Sequence, residues 1–550
     1  MRLVISTETP GNQFHLKAIL LNTFLNTCNC SFHIHFPAFC LHLENISTIM
    51  NMKKLLTLLL FLSLYSGYSQ DSILIKSKVA NAISELREFV SIPNDALNAD
   101  DIDSNLYWLR KKFTERGFNS SILETEGLPL FFAALPMDDS KPTILFYMHL
   151  DGQSVDASKW DQPDPYKVAL KSKTEEGWKT ESFTDLSEDI NYDWRLFGRS
   201  TSDDKGPIVM FLNAMDILKK ENVEIPYNVK VILDSEEEKS SAPLPKAVRT
   251  YKDLLKADFL VINDGPVHIS GKPTIIYGCR GITTLSITTY GPIKPQHSGH
   301  YGNYAPNPGF QLSQLLATMK DSYGRVLVKG YYDGISLDEA TLAILKSVPD
   351  NNEEINANLA IANPEKVGGF YQEALQYPSL NIRGLGSAWI GEQARTIVPA
   401  SATAELDLRL VPESDGTRLK SLVKEHIIKE GFHVISTEPT KKDRLKYDKI
   451  AKVTEGSVTD AFRTDLDNTY GKVIVDRMND KFGEKPVQIR IMGGTVPIAP
   501  FINELKIPAF ILPMVNPDNN QHSPNENLKI GQIAYGIELF HTLLSPKPTK

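Results

Sequence analysis

Cysteine is scarce, with 4 in 550 residues, and Cys28, Cys30 and Cys40 all precede residue 52. Cys279 is left alone in the remainder and closes no internal disulfide, so stability there must come from core burial. Lysine and arginine form no run or stripe and the net charge is −8, which argues against a nucleic-acid partner. No Gly-x-Ser-x-Gly elbow occurs, which excludes the serine-hydrolase arrangement built on that turn. Internal repeats and low-complexity tracts are missing too, which excludes solenoids.

Long apolar runs are also lacking. The run at 55–64 is too short to span a bilayer comfortably. Met52-Lys53-Lys54 precede it and the small residues Gly67 and Ser69 follow it, the order of a secretory signal. Residues 52–70 are therefore expected to be a signal peptide, cleaved near Gln70 or Asp71, with a retained anchor as the alternative. The expected location is export, periplasmic or secreted, with no membrane contact after cleavage. Residues 1–51 show no clear periodicity and read as a leader ahead of a true start at Met52 or Met50.

Apolar residues make up 41% of the chain and charged residues 23%, the balance of a soluble globular protein long enough for two or three domains. Five apolar residues, Ile144-Leu145-Phe146-Tyr147-Met148, predict a strand buried on both faces, and it runs directly into His149-Leu150-Asp151-Gly152. In open α/β sheets ligands bind beyond the carboxyl ends of the strands. His149 is a good metal ligand there, and Asp151 can hold its imidazole through the other ring nitrogen.

Helical spacing of Val79, Ile83, Leu86 and Val90, and then of Leu106, Leu109 and Phe113 before Gly117, predicts two helices. Strands are expected at 129–135, 229–233 and 259–263, and the polar stretch 160–193 as surface loops. Pro207 suits the first position of a helix carrying Ile208, Phe211, Leu212, Met215 and Leu218. Alternating strands and helices indicate a mostly parallel sheet with flanking helices, an α/β fold. From about residue 285 shorter strands surround helices at 310–319 and 419–429, an inserted α+β domain. The expected division is 71–284 and 460–550 for the catalytic domain and 285–459 for the insertion.

Strand ends and neighbouring loops deliver His149, Asp203, Glu237, Glu238, Asp264 and His522. Each alone has an ordinary account as a helix cap, a solvated charge or a surface histidine. Together they make the ligand set for two divalent ions about 3.5–4 Å apart, with one carboxylate spare as a base.

Ordered blocks then carry a resemblance: His149-Leu150-Asp151, residues 198–207, Glu237-Glu238, Asp264, Tyr277-Gly278-Cys279-Arg280-Gly281, His297-Ser298-Gly299, Arg409-Leu410-Val411-Pro412 and His522-Ser523. From about Val79 to Leu544 the chain resembles the co-catalytic metallopeptidases that include carnosinase, cytosolic nonspecific dipeptidase, acetylornithine deacetylase and glutamate carboxypeptidase. The resemblance implies two divalent ions per subunit, zinc with manganese or cobalt as alternatives. His149 and Asp264 would hold one, Glu238 and His522 the other, and Asp203 would bridge them, followed by a cis peptide bond. Glu237 would be the general base acting on a bridging water, with Asp151 orienting His149. The insertion would be a lid and dimerisation domain whose His297 reaches the partner subunit of a homodimer. Arg409 and Thr396 would grip the substrate carboxylate, with Gly494 and Thr495 in a substrate loop. Met492, the segment His300-Tyr301-Gly302-Asn303 and Ser200 depart from the family pattern. Aspartate at 264 points to a dipeptidase acting on small peptides. An N-acyl amino acid deacylase is the alternative, and a metal-free binding homologue the third reading.

Overall fold

A strand apolar along its whole length must be covered on both faces, and the computed structural model shows how residues 144–148 are. It describes residues 75–186 and 190–546. The segment read as leader and signal, with the three early cysteines, lies outside them. The central eight-stranded sheet contains β1 (Asn119–Leu123), β2 (Leu130–Ala134), β3 (Thr143–His149), β4 (Asn228–Asp234), β5 (Phe259–Ile262), β6 (Thr274–Ile276), β7 (Val487–Ile489) and β8 (Ala509–Ile511), in the spatial order β1-β2-β4-β3-β5-β8-β6-β7. Strands β4, β3, β5 and β8 run parallel, with an antiparallel pair at the β1 edge.

Neighbouring side chains on β3 point to opposite faces. Phe146 meets Phe211 and Phe540, with ring centroids 5.3 and 5.6 Å apart, on the helices α1 (Lys205–Lys220) and α2 (Ile530–Leu544). Tyr147 faces the other way and meets Phe501 at 5.6 Å. Each contact sits in a separate apolar core, so β3 is clamped between two layers. Deleting a ring such as that of Phe211 should cost about 3–5 kcal/mol.

The inserted region carries a second, five-stranded sheet, ordered Ser379–Ser387, Ser401–Leu410, Gly281–Tyr290, Ile450–Thr459 and His433–Ile435. The first four strands are antiparallel, and the last pairs parallel with its neighbour. Helices Pro308–Met319 and Gly416–Lys429 cover one face through Leu312, Leu315, Leu419 and Val423. The fold is thus an α/β catalytic domain with an α+β lid domain. Among the described residues no helix is long and apolar enough to cross a membrane.

Two local expectations are corrected. Pro207 is the third residue of α1, not the first. That place still lies among the N–H groups a helix leaves unbonded, so proline fits it equally well. The stretch 160–193 is not all loop, because Ala169–Thr174 and Gly177–Glu181 form a hairpin. Its inward positions include Lys171, whose ammonium lies 4.4 Å from the Phe197 ring centroid, so a lysine stands where an apolar residue signals a strand.

Candidate active site

The parallel register of β3 and β4 places His149 opposite Asp234, so both strands end at one edge of the sheet. β5 ends there as well and leads through Asn263 to Asp264. The turn after β4 carries Glu237 and Glu238, and Asp203 comes from the loop that opens α1. Side-chain donor atoms of His149, Asp203 and Asp264 lie within 4.8 Å of one another, as do those of Asp203, Glu238 and His522. Asp203 is common to both groups. Its Oδ1 is 2.9 Å from His149 Nε2 and its Oδ2 is 3.1 Å from His522 Nε2. The peptide bond from Asp203 to Asp204 is cis.

The supports are as specific as the cluster. Asp151 lies within 3.4 Å of His149 Nδ1, and its two carboxylate oxygens accept the backbone N–H groups of Glu237 and Glu238 at 3.0 and 3.1 Å. One carboxylate thus ties the histidine strand to the glutamate turn. Gln153 donates to Glu238 at 2.7 Å. The fully buried Glu526 accepts the backbone N–H groups of Ser200, Ser202 and Asp203, the Ser202 hydroxyl, and Arg199 at 2.7 Å. Asp204 accepts the His149 backbone N–H at 3.2 Å. The sequence reading missed Glu526, Gln153 and Asp204. Carboxylates and amides in polar loops read as solvated, and only their tertiary partners betray them.

Electrostatics fit a cation here. Burial, reinforced by Asp203, raises Glu238 to about 7 and Asp264 to about 6. Burial also lifts Glu237 well above the usual range, His149 opposing it and Asp264 and Glu238 adding to it. Asp203 goes the other way: burial would raise it, but His149 and His522 outweigh that and hold it low. The Asp203 hydrogen bond, partly opposed by burial and aided by Glu238, raises His522 to about 9. Several buried carboxylates crowded together with two histidines form a donor set suited to divalent ions.

The other predicted residues fall into two groups away from this cluster. Arg409 Nη1 donates to the Thr495 hydroxyl at 2.9 Å, and that hydroxyl donates to the Arg280 carbonyl at 2.7 Å. Gly494 lies beside Thr495, and a Cβ built on it would stand 3.3 Å from Met492 Cε. His297 and Thr396 are exposed and adjacent, the Ser298 N–H donating to the Thr396 carbonyl at 3.0 Å. Among the described residues no hydrogen bond or ion pair joins either group to the carboxylate cluster.

The profile of Peptidase family M20/M25/M40 matches residues 145–545. The chain belongs to that family. It is 28% identical over 501 residues to the Cys-Gly metallodipeptidase dug1 of Schizosaccharomyces pombe, covering 86% of this chain and 98% of that one. To the Beta-Ala-His dipeptidase of Homo sapiens it is 28% identical over 430 residues, 75% of this chain and 76% of that one. Among solved structures it matches an M20 family metallo-carboxypeptidase, Sso-CP2 from Sulfolobus solfataricus, with TM-score 0.67 and 26% identity over 84% of this chain and 98% of that one. The protein is a dipeptidase-like metallopeptidase, a hydrolase of peptide bonds that uses two divalent metal ions, typically zinc. The expectation of export is overturned: the matched Cys-Gly dipeptidases are cytosolic enzymes, and nothing in the matches points to export. A short apolar run behind two lysines carries little information by itself.

Proposed function

We propose that this M20 enzyme hydrolyses unmodified dipeptides, with Glu237 as the general base. Asp203 would bridge two ions, one held also by His149 and Asp264 and the other by Glu238 and His522. Bound there, the ions polarise the scissile carbonyl and make water a better nucleophile. Glu237 takes a proton from that water as its oxygen bonds the carbonyl carbon. It then gives a proton to the departing amine as the C–N bond breaks. Burial favours this role by lifting the Glu237 carboxyl toward the working pH. Asp151 fixes Glu237 in place through the backbone of its turn. The single observation that carries the reading is the Asp203 carboxylate, with one oxygen toward His149 and the other toward His522.

Arg409 and Thr495 suit the terminal carboxylate of a dipeptide, since a planar guanidinium can engage both its oxygens. Thr396 and Gly494 complete that grip in the same reading. Residues 285–459 would act as the lid and join two subunits. Strand Ser379–Ser387 is a free sheet edge that exposes Ile382 and Leu385, with Trp389 and Ile390 just beyond it. His297, exposed on the same domain, would reach the partner's active site and stabilise the developing oxyanion.

The test is a panel of dipeptides and N-acyl amino acids assayed with zinc- or manganese-loaded protein. Dipeptides should be cleaved fastest. Preferential cleavage of the N-acyl amino acids would replace this reading with a deacylase.

A further inference from the structure

Arg280 joins the catalytic domain to the first lid strand and is only 7% exposed. Its side chain makes one hydrogen bond, from Nη2 to the Tyr377 carbonyl at 2.6 Å, and its Nε is buried without a partner. Among the described residues no carboxylate pairs with it. Arg409 also lacks a carboxylate, its one side-chain hydrogen bond going to Thr495. A buried, unpaired guanidinium is costly unless something anionic completes it. Burial lowers Arg280 to about 10, and the charge of Arg409 adds to that effect, so the two cations sense one another. A dipeptide supplies one carboxylate at its terminus, which leaves one of the two cations uncompensated.

Arg280 also lines a cavity of about 190 Å³ together with Tyr332, Leu375, Tyr377 and Leu380. The Lys320–Glu365 pair on its wall, at 2.8 Å, is already self-neutralised. The cavity adjoins the substrate loop from two directions. The Arg280 carbonyl accepts from Thr495, and a Cβ on Gly493 would stand 3.5 Å from Leu375. We propose that this cavity receives the side chain of the substrate's C-terminal residue, and that Arg280 selects an acidic one, so that dipeptides ending in aspartate or glutamate are preferred. The proposal rests on the dipeptidase reading above. The tyrosine rings on the cavity wall carry no charge that would compete for the pairing.

The test compares Ala-Asp, Ala-Glu, Ala-Asn, Ala-Gln and Ala-Leu at matched metal loading. The acidic members should exceed their amides in kcat/KM by about 10- to 100-fold, the scale of one charge-assisted hydrogen bond. In Arg280→Met that ratio should fall to within about threefold of unity. A flat panel in the wild type, or a preference that persists in Arg280→Met, overturns the proposal while leaving the dipeptidase reading intact. Calorimetric binding of free L-glutamate and L-glutamine to the metal-loaded wild type needs neither turnover nor a folded variant, and glutamate should bind at least tenfold more tightly. That result with no dipeptide cleaved would keep the site and remove the dipeptidase reading. If inorganic phosphate displaces glutamate and the panel is flat, the cavity is a free-anion site and the proposal falls.

Discussion

At the sheet edge His149, Asp203, Glu237 and Glu238 are held by other buried groups, whereas in the inserted domain His297 and Thr396 stand in the open. Asp203 is fixed by His149 on one side and by Glu526 through its own N–H on the other. Glu237 and Glu238 are fixed through their N–H groups by Asp151. Among the described residues the His297 ring meets the Gly299 N–H at its Nδ1 and the neighbouring His300 ring, 4.8 Å away. On the proposed reading, the difference would separate a centre that one chain preorganises from a surface completed by a substrate or a second chain. Preorganised groups should fail steeply and locally when changed, and the open ones should respond to subunit exchange.

The steepest failure expected is at the base. Glu237→Gln keeps the turn, since Asp151 holds its backbone and not its side chain. Both metals should remain by elemental analysis while turnover falls by about 10²–10⁴. Near wild-type turnover in a fully metallated variant would take Glu237 out of the mechanism and blur the contrast between the two regions.

Next in size is the exposed histidine. A donor aimed at a developing oxyanion is worth about 2.7–4 kcal/mol, so His297→Ala should lose about 10²–10³ in turnover with metals retained. In a two-fold dimer with shared sites, mixing His297→Ala with Glu237→Gln would give hybrids in which one site carries both lesions and the other neither. Activity should then reappear. Proven exchange with activity still at the level of the parents would place His297 in its own subunit's site or in none.

A smaller effect is expected from the brace beneath Asp203. Glu526→Gln removes the charge opposite Arg199 and halves the acceptors offered to three backbone N–H groups. Supports of this kind typically govern metal affinity by about 10–100-fold. Titration with zinc buffers should show that loss, and excess metal should restore most of the activity. Wild-type affinity would mean that the loop 198–204 holds its shape without Glu526.

The same contrast explains what was legible before the structure. Strand β3 could be read because burial on two faces imposes an unbroken apolar run, and helix α1 because Ile208, Phe211, Leu212 and Met215 recur at helical spacing. Ligand types at strand ends could be read because histidine and aspartate are rare continuations of a buried strand. The hairpin at 169–181 was hidden because Lys171 buries its stem, and lysine carries no strand signal. Glu526 was hidden because its role is to accept N–H groups from a segment more than 320 residues away, and no local pattern encodes that. The Arg280 cavity depends on Leu375 and Tyr377 packing near the substrate loop, a tertiary fact with no periodic trace.

The smallest expected effect probes the substrate end, where the two regions meet. Thr495 accepts from Arg409 and donates to the Arg280 carbonyl, so its hydroxyl holds the guanidinium relative to the loop. Thr495→Val keeps the shape and removes both bonds. A single hydrogen bond contributes about 0.5–1.5 kcal/mol net, so kcat/KM for a dipeptide should drop by about 2- to 10-fold. The drop should depend on the substrate carboxylate, because Arg409 is the group being misplaced. On the matching dipeptide amide, which offers Arg409 no charge, wild type and variant should differ by less than twofold. Equal losses on the acid and the amide would mean that Thr495 steadies the loop in general and does not aim Arg409. The substrate end would then be braced like the metal end, and the contrast between them would reduce to His297 alone.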